Sequence, residues 1–360
     1  MFRGMPRASG YFRTDYAQDL SLLQTRSEWA ALTVFVIAVA AFPFLATAFY
    51  LDLACQVFLA AIGALSLMLL TGYAGQISLG HAGLVAAGAF TAGILFREFA
   101  APFWLTLPAA AAAGAILGVI FGLPSLRLRG LYLAISTLAL YFVVVYLGGE
   151  YETTRGFSTG IMVDAPRIGA FALKNPRAWY FVLLAAAAVT FLLCANLLRS
   201  RTGRAWRAIR AHEVVAEALG IGVARYKLSA FVISSAMASV AGALFAYYRG
   251  FVSVEAFSLF LSIQYIAMII IGGMGSLLGA LLGAVFVTLF PYVIEAGLNK
   301  LPSAQSYAGD LFAVDYASFG VVMIAFLVFE PLGLVGIWRR LQSYFLLWPF
   351  KYRPVAGGRQ

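Results

Sequence analysis

Few side chains in this sequence are equipped for covalent chemistry. It holds two histidines, His81 and His212, two cysteines, Cys55 and Cys194, and only 15 acidic residues among 360. Gly156-Phe157-Ser158-Thr159-Gly160 matches the G-x-S-x-G nucleophile pattern, which works on a strand-to-helix turn with an acid and a histidine downstream. The only histidine downstream is His212, and the charge distribution described below puts it on the opposite side of a membrane. Ile271-Gly272-Gly273-Met274-Gly275 begins like a dinucleotide fingerprint, but the next glycine comes one residue late and no strand precedes it. A G-x-x-x-x-G-K-[ST] phosphate loop is absent from the sequence, so any ATP hydrolysis that drives this protein belongs to another chain. Cys55 and Cys194 lie in separate apolar runs without metal or disulfide spacing and read as packing residues. Glu330, followed by Pro331, reads as an interfacial residue rather than a proton carrier. No catalytic group, metal or cofactor is expected.

The most unusual stretch is Thr71-Gly72-Tyr73-Ala74-Gly75-Gln76-Ile77-Ser78-Leu79-Gly80-His81, where glycines and polar side chains interrupt hydrophobic sequence on both sides. Backbone that leaves the helix at membrane depth is tolerated only where protein buries it or a wet cavity receives it. Tyr73, Gln76, Ser78 and His81 are therefore candidates for a solute pathway, with Thr137 as a fifth. A helix restarting near Ser78 would aim free N–H groups and a positive dipole end at an anionic solute. The competing reading is a plain loop near the inner surface with His81 hydrogen-bonded to a neighbouring helix.

These residues sit in a chain that is 62% hydrophobic and 11% charged, with a mean hydropathy of +0.90. Soluble domains are roughly 45–50% apolar, so the surplus must face lipid. Spanning helices need ~20 mostly apolar residues, and ten such runs are expected: 29–50, 52–71, 78–96, 103–124, 131–149, 178–198, 227–249, 261–278, 280–297 and 314–336. The fold class is an all-α polytopic membrane helix bundle. Its first run ends in Ala46-Thr47-Ala48, which resembles a signal-peptidase site. The leader and apolar core are both longer than in a signal peptide, and the run is read as a retained span.

With the N-terminus inside, 18 of the 25 Lys and Arg fall in inner segments and 7 in outer ones. That bias supports cytoplasmic termini and explains the net charge of +10 without nucleic acid. The chain divides into a cytoplasmic segment 1–28, a membrane domain 29–337 and a cytoplasmic tail 338–360. Two polar excursions interrupt the domain, 150–177 outside and 199–226 inside. In the inner one, Ala205, Ile209, Val215, Ala218 and Leu219 form an incomplete apolar stripe, read as one or two short amphipathic helices. Small-residue ridges at Gly114, Gly118 and Gly122 and at Gly275, Gly279 and Gly283 are read as close helix packing.

The blocks LTGYAGQISLGHAGLVAAGAFTAGIL (70–95), LRGLYLAISTLAL (128–140), GRAWRAIRAHEVVAEALGIGVARYKLSAFVISSAMASVAGALFAY (203–247), IGGMGSLLGALLGA (271–284) and EPLGLVGI (330–337) resemble, in that order, the permeases of branched-chain amino-acid (Liv-type) ABC importers. The resemblance implies a complex of two related permeases, two cytoplasmic ATPases and an extracytoplasmic solute-binding protein in a bacterial-type inner membrane. It also implies that a short inner helix of the permease docks on the ATPase. The matching stretch here runs from Glu213 through Glu217 to Gly220, preceded by Arg204 and Arg207. Family members often carry an acidic residue and an arginine in span 5 and an outer T-G-G; here Tyr141 to Tyr146 is uncharged and the motif reads Thr154-Arg155-Gly156. Relatives import urea, amides and aromatic acids as well as leucine-like amino acids. A proton- or ion-coupled carrier and an intramembrane enzyme are the alternatives from other classes.

Overall fold

A computed structural model of the chain describes residues 26–126, 128, 130–155, 160–168, 171–173, 175–298, 311–330 and 332–347. The apolar runs form helices: α1 (Arg26–Leu45), α2 (Ala48–Leu67), α3 (His81–Phe99), α4 (Phe103–Ser125), α5 (Leu131–Thr154) and α6 (Pro176–Arg199). Two polar helices follow, α7 (Arg201–Ala211) and α8 (Glu213–Ala218), and then α9 (Val223–Arg249), α10 (Leu259–Gly272), α11 (Leu277–Leu298), α12 (Leu311–Phe329) and α13 (Gly333–Leu347). Local sequence fixes several ends. Asn175 accepts the backbone N–H of Arg177 at 3.0 Å with Pro176 in the first helical position of α6, and Gly250 closes α9 with a φ of 75°.

Among the described residues, eight helices are long and apolar enough to cross a membrane, and a ninth counts if the bent pair α12–α13 is one span. Eight or nine spans among the described residues stand against the ten expected runs, and the first and last runs differ in detail. The run 29–50 is divided at Ala46–Thr47: its first part forms the apolar length of α1, and the rest opens α2. The last run is bent by 50° where Gly333 takes a φ of +64°. The eighth run stops at Gly272 rather than 278, because Gly273 and Gly275, at φ 116° and 85°, turn the chain there.

The outer excursion is shorter than expected at its start, since α5 continues to Thr154. Beyond it, β1 (Ile161–Met162) pairs antiparallel with β4 (Phe251–Val252), and β2 (Arg167–Ile168) pairs with β3 (Phe171–Ala172). Residues 156–159 of the G-x-S-x-G match, like segments 1–25 and 348–360, lie outside the described residues.

The core is built on α2, α3 and α9, the most enclosed of the spans. The expected ridge Gly114, Gly118, Gly122 does pack α4 against α9, at Ser235, Ser239 and Val232. In the second ridge Gly279 and Gly283 of α11 lie against the Gly272 and Met268 carbonyls of α10, whereas Gly275 belongs to the turn between them. Cys55 and Cys194 are free and buried. Glu330 pairs with Arg340 of α13 at 3.0 Å, as suits a residue at the polar boundary.

Candidate functional site

The interrupted stretch is broken in the structure as well. After α2 the chain winds into one π-helical turn, Met68–Tyr73, and then leaves the helix from Ala74 to Gly80. Helix α3 restarts at His81, three residues later than expected. Its leading N–H groups are engaged within the protein: the Ala82 N–H donates to Ser262 Oγ of α10 at 2.9 Å, and Gly83 N–H to Gly80 O at 3.0 Å. The dipole end therefore faces a hydroxyl, not an open cavity.

Tyr73, Gln76, Ser78, His81 and Thr137 are all buried. Thr137 Oγ1 accepts from the Leu79 N–H at 2.9 Å and donates to Ala134 O at 2.8 Å, fastening the broken element to α5. Gln76 is held by its own backbone, with its carbonyl accepting from Thr71 Oγ1 at 2.9 Å, and its Nε2 donates to Lys227 O at the start of α9 at 3.1 Å. His81 Nε2 lies 3.1 Å from Ser66 Oγ and 3.0 Å from Gly63 O, both on α2, and the imidazole stands edge-on to Tyr265 with ring centroids 5.0 Å apart.

Tyr265 connects His81 to a cavity that the sequence did not reveal. About 270 Å³ lies open between α2, α3, α9, α10 and α11. Its polar wall is Gln56, Gln264, Tyr265, Thr288, Tyr292 and Arg249; its apolar wall includes Leu59, Val85, Phe245, Phe257 and Met268. Among the described residues the buried Thr288 hydroxyl has no hydrogen-bond partner. Behind Gln56 stands Asp52, which accepts from Gln56 Nε2 at 2.6 Å and from the Tyr248 hydroxyl. Tyr292 in turn donates to Gln56 Oε1 at 3.2 Å. A few convergent polar groups in a mostly apolar recess suit a small organic solute. The polar residues are scattered over four helices, and none of them lies in the sequence blocks quoted above. The one available signal is the acidic residue at 52, inside an apolar run and so costly unless it is paired.

Arg249, the last residue of α9, edges this cavity. Helix α9 has 27 residues, and at 1.5 Å per residue its two ends are about 40 Å apart. The cavity therefore lies far from α8, which precedes the other end of α9.

At that other end, α7 is fixed by Trp206, which is fully buried and donates from Nε1 to Tyr226 O at 2.8 Å. Arg204 and Arg207 cap α6: Arg204 Nη1 donates to Arg199 O and Arg207 Nη2 to Leu198 O, both at 2.9 Å. The expected apolar stripe is split. Ala205 and Ile209 are buried, whereas α8 turns Val214 and Val215 outward, exposed by 72% and 55%, and Leu219 just past its end is exposed by 75%. Only Ala216 of α8 faces inward, because a six-residue helix has too few turns to follow one stripe continued from α7. Glu217 is exposed beside them, Gly220 ends the helix at a φ of 82° with open space where a Cβ would go, and Glu213 Oε2 pairs with Lys227 Nζ at 2.7 Å. The two groups of candidates thus meet at Lys227, which receives Gln76 on its carbonyl and Glu213 on its ammonium.

A sequence profile of the family described as "Branched-chain amino acid transport system / permease component" matches residues 49–327. The chain belongs to this permease family. It is 32% identical over 334 residues to the high-affinity branched-chain amino acid transport system permease protein LivM of Salmonella typhimurium, covering 86% of this chain and 75% of that protein. The LivM of Escherichia coli is 31% identical over 363 residues, covering 94% and 81%. The guanosine ABC transporter permease protein NupQ of Bacillus subtilis is 28% identical over 191 residues, covering 48% and 59%. No solved structure matches the chain significantly. The profile of the permease family spans α2 to α12 and so takes in the broken element, α7–α8 and the cavity.

Proposed function

We propose that this permease is one of two transmembrane subunits of an ATP-driven importer, with hydrolysis in two separate cytoplasmic chains and solute delivered by an extracytoplasmic binding protein. The observation that carries the reading is α8, a short helix that holds its apolar side chains and Glu217 away from its own protein. An exposed apolar patch rimmed by polar residues is suited to a protein partner. The excess of basic residues in inner segments supports a cytoplasmic position for α7–α8 and for both termini, in a bacterial-type inner membrane.

The solute carries a carboxylate and a modest apolar group. Support comes from the LivM relatives and from the cavity, where Arg249 can receive a carboxylate while Leu59, Phe245 and Met268 face the apolar part. Tyr73, Gln76, Ser78, His81 and Thr137 line or gate the pathway from behind this cavity, so they set the transport rate more than the preference among solutes. The NupQ relative acts on a nucleoside, and a neutral solute is the reading to be separated. The test is uptake by the reconstituted complex with Arg249→Gln. Loss of a charge-assisted contact raises the KM for a leucine-like amino acid roughly tenfold or more and leaves uptake of a neutral amide unaffected. Equal effects on both solutes, or efficient native uptake of the amide alone, would refute the carboxylate.

A further inference from the structure

Arg210, in the last turn of α7, lies within the 203–247 block without a role assigned to it, and it reaches the broken element directly. Its Nη1 donates to the carbonyl of Gly72 in the π-helical turn. Helix ends leave carbonyls without intrahelical partners, and a cation is favoured there. Two glycines from different segments make room for the side chain. A Cβ on Gly75 would come within 3.2 Å of Arg210 Cγ, and one on Gly275 within 2.8 Å of its Nη1. Both also hold positive φ, 74° and 85°, so side chains are disfavoured there twice over. The Gly275 N–H completes the cradle by lying 3.2 Å from Met68 Sδ, at the start of the same π-helical turn. One guanidinium thus joins α7, the end of α2 and the α10–α11 turn.

We propose that Arg210 is the positioning residue through which displacement of α7 and α8 reaches the pathway. This rests on the reading that α8 docks on an ATPase. The geometry supplies two links from the polar helices to residues 72–76. One runs from Glu213 through Lys227 to Gln76, and the other from Arg210 to Gly72. Because Trp206 fixes α7 to the start of α9, a push on α8 moves these contacts together. Between the last π-helical bond, from the Ala74 N–H to Leu69 O, and the first bonds of α3 on Gly80 O, residues 75–79 lie outside a helical ladder and are held by single bonds such as Gln76 N–H to Leu70 O and Leu79 N–H to Thr137 Oγ1, so the motion is delivered to a segment with few backbone bonds to resist it.

Arg210 keeps an exposed side, and truncating it leaves no core cavity. The test uses the complete reconstituted complex with Arg210→Gln, Arg210→Lys and Gly275→Ala, comparing solute moved with ATP hydrolysed. Arg210→Gln is expected to assemble and to hydrolyse ATP within about twofold of wild type, while the ratio of uptake to hydrolysis falls roughly tenfold or more. Arg210→Lys, which keeps a charged donor for the Gly72 carbonyl, recovers part of that ratio. Gly275→Ala crowds the same guanidinium and lowers it. An unchanged ratio in Arg210→Gln overturns the proposal, and so does a loss of assembly in that variant combined with an unchanged ratio in Gly275→Ala. Uptake by the wild-type complex that ignores ATP would instead overturn the docking reading on which the proposal rests.

Discussion

Glu217→Arg is expected to leave this permease folded in its membrane while ATP-driven uptake falls by roughly tenfold or more. Within the chain Glu217 is exposed on α8, and no ion pair or side-chain hydrogen bond holds it among the described residues. Reversal of such a charge alters folding by only about 0.5 kcal/mol in either direction. At a docked interface, however, truncating or reversing one member of a charge pair costs about 2–5 kcal/mol, largely because the partner's charge is left buried. The neighbouring Val214, Val215 and Leu219 would still reach the partner, so the variant should assemble weakly and hydrolyse without transport. Quantifying uptake and hydrolysis in the same vesicles distinguishes this from misfolding. Normal transport by the variant would remove Glu217 from the interface.

The second large effect is structural. Helices α3 and α9 approach so closely that a Cβ on Gly242 would stand 1.8 Å from Val85 O, and one on Gly88 1.8 Å from Ser239 O. Ser239 Oγ also donates to Leu84 O at 2.8 Å, tying the two backbones together. Gly242→Val cannot be absorbed by a rotamer change, because the obstructing atoms are backbone. Overpacking costs about 1–3 kcal/mol and occasionally more, and here the displaced helix α3 carries His81 and α9 lines the cavity. The expectation is a clear fall in the thermal midpoint of the detergent-purified protein and little surviving complex. Gly320→Val on α12, where nothing among the described residues beyond the adjoining backbone of its own helix lies within 4 Å of the added Cβ, serves as the control and should behave as wild type. Equal stability of the two variants would show that α3 and α9 are not packed as described.

Most of the architecture was legible because lipid imposes simple rules on sequence: apolar runs become helices, small-residue ridges become contacts, and polar excursions stay outside the bundle. The break at 71–81 was visible for the same reason, since Gly72, Gly75, Gln76 and Gly80 cannot be explained as lipid-facing helix. What those residues touch was not legible. Gln76 meets Lys227 across 151 positions and Gly72 meets Arg210 across 138, and no local pattern encodes pairs so distant. His81 shows the limit well: its type marked it as special, but only the fold reveals that Ser66, Gly63 and Tyr265 enclose it. The cavity was missed entirely because Gln56, Gln264, Arg249 and Thr288 are single polar residues on four different helices. The exposed face of α8 was misread for a related reason, as the stripe was continued through the break at His212, where the backbone is extended and the helical phase is lost.

The expectation is that this permease moves solute when a partner ATPase turns over. Its most direct test is uptake of a radiolabelled leucine-like amino acid into vesicles that contain this chain, a second permease, the ATPases and the binding protein, with ionophores present to collapse every ion gradient. Uptake should require ATP and persist without gradients. Uptake that ceases when the gradients collapse, with ATP still present, would contradict that expectation and point to an ion-coupled carrier.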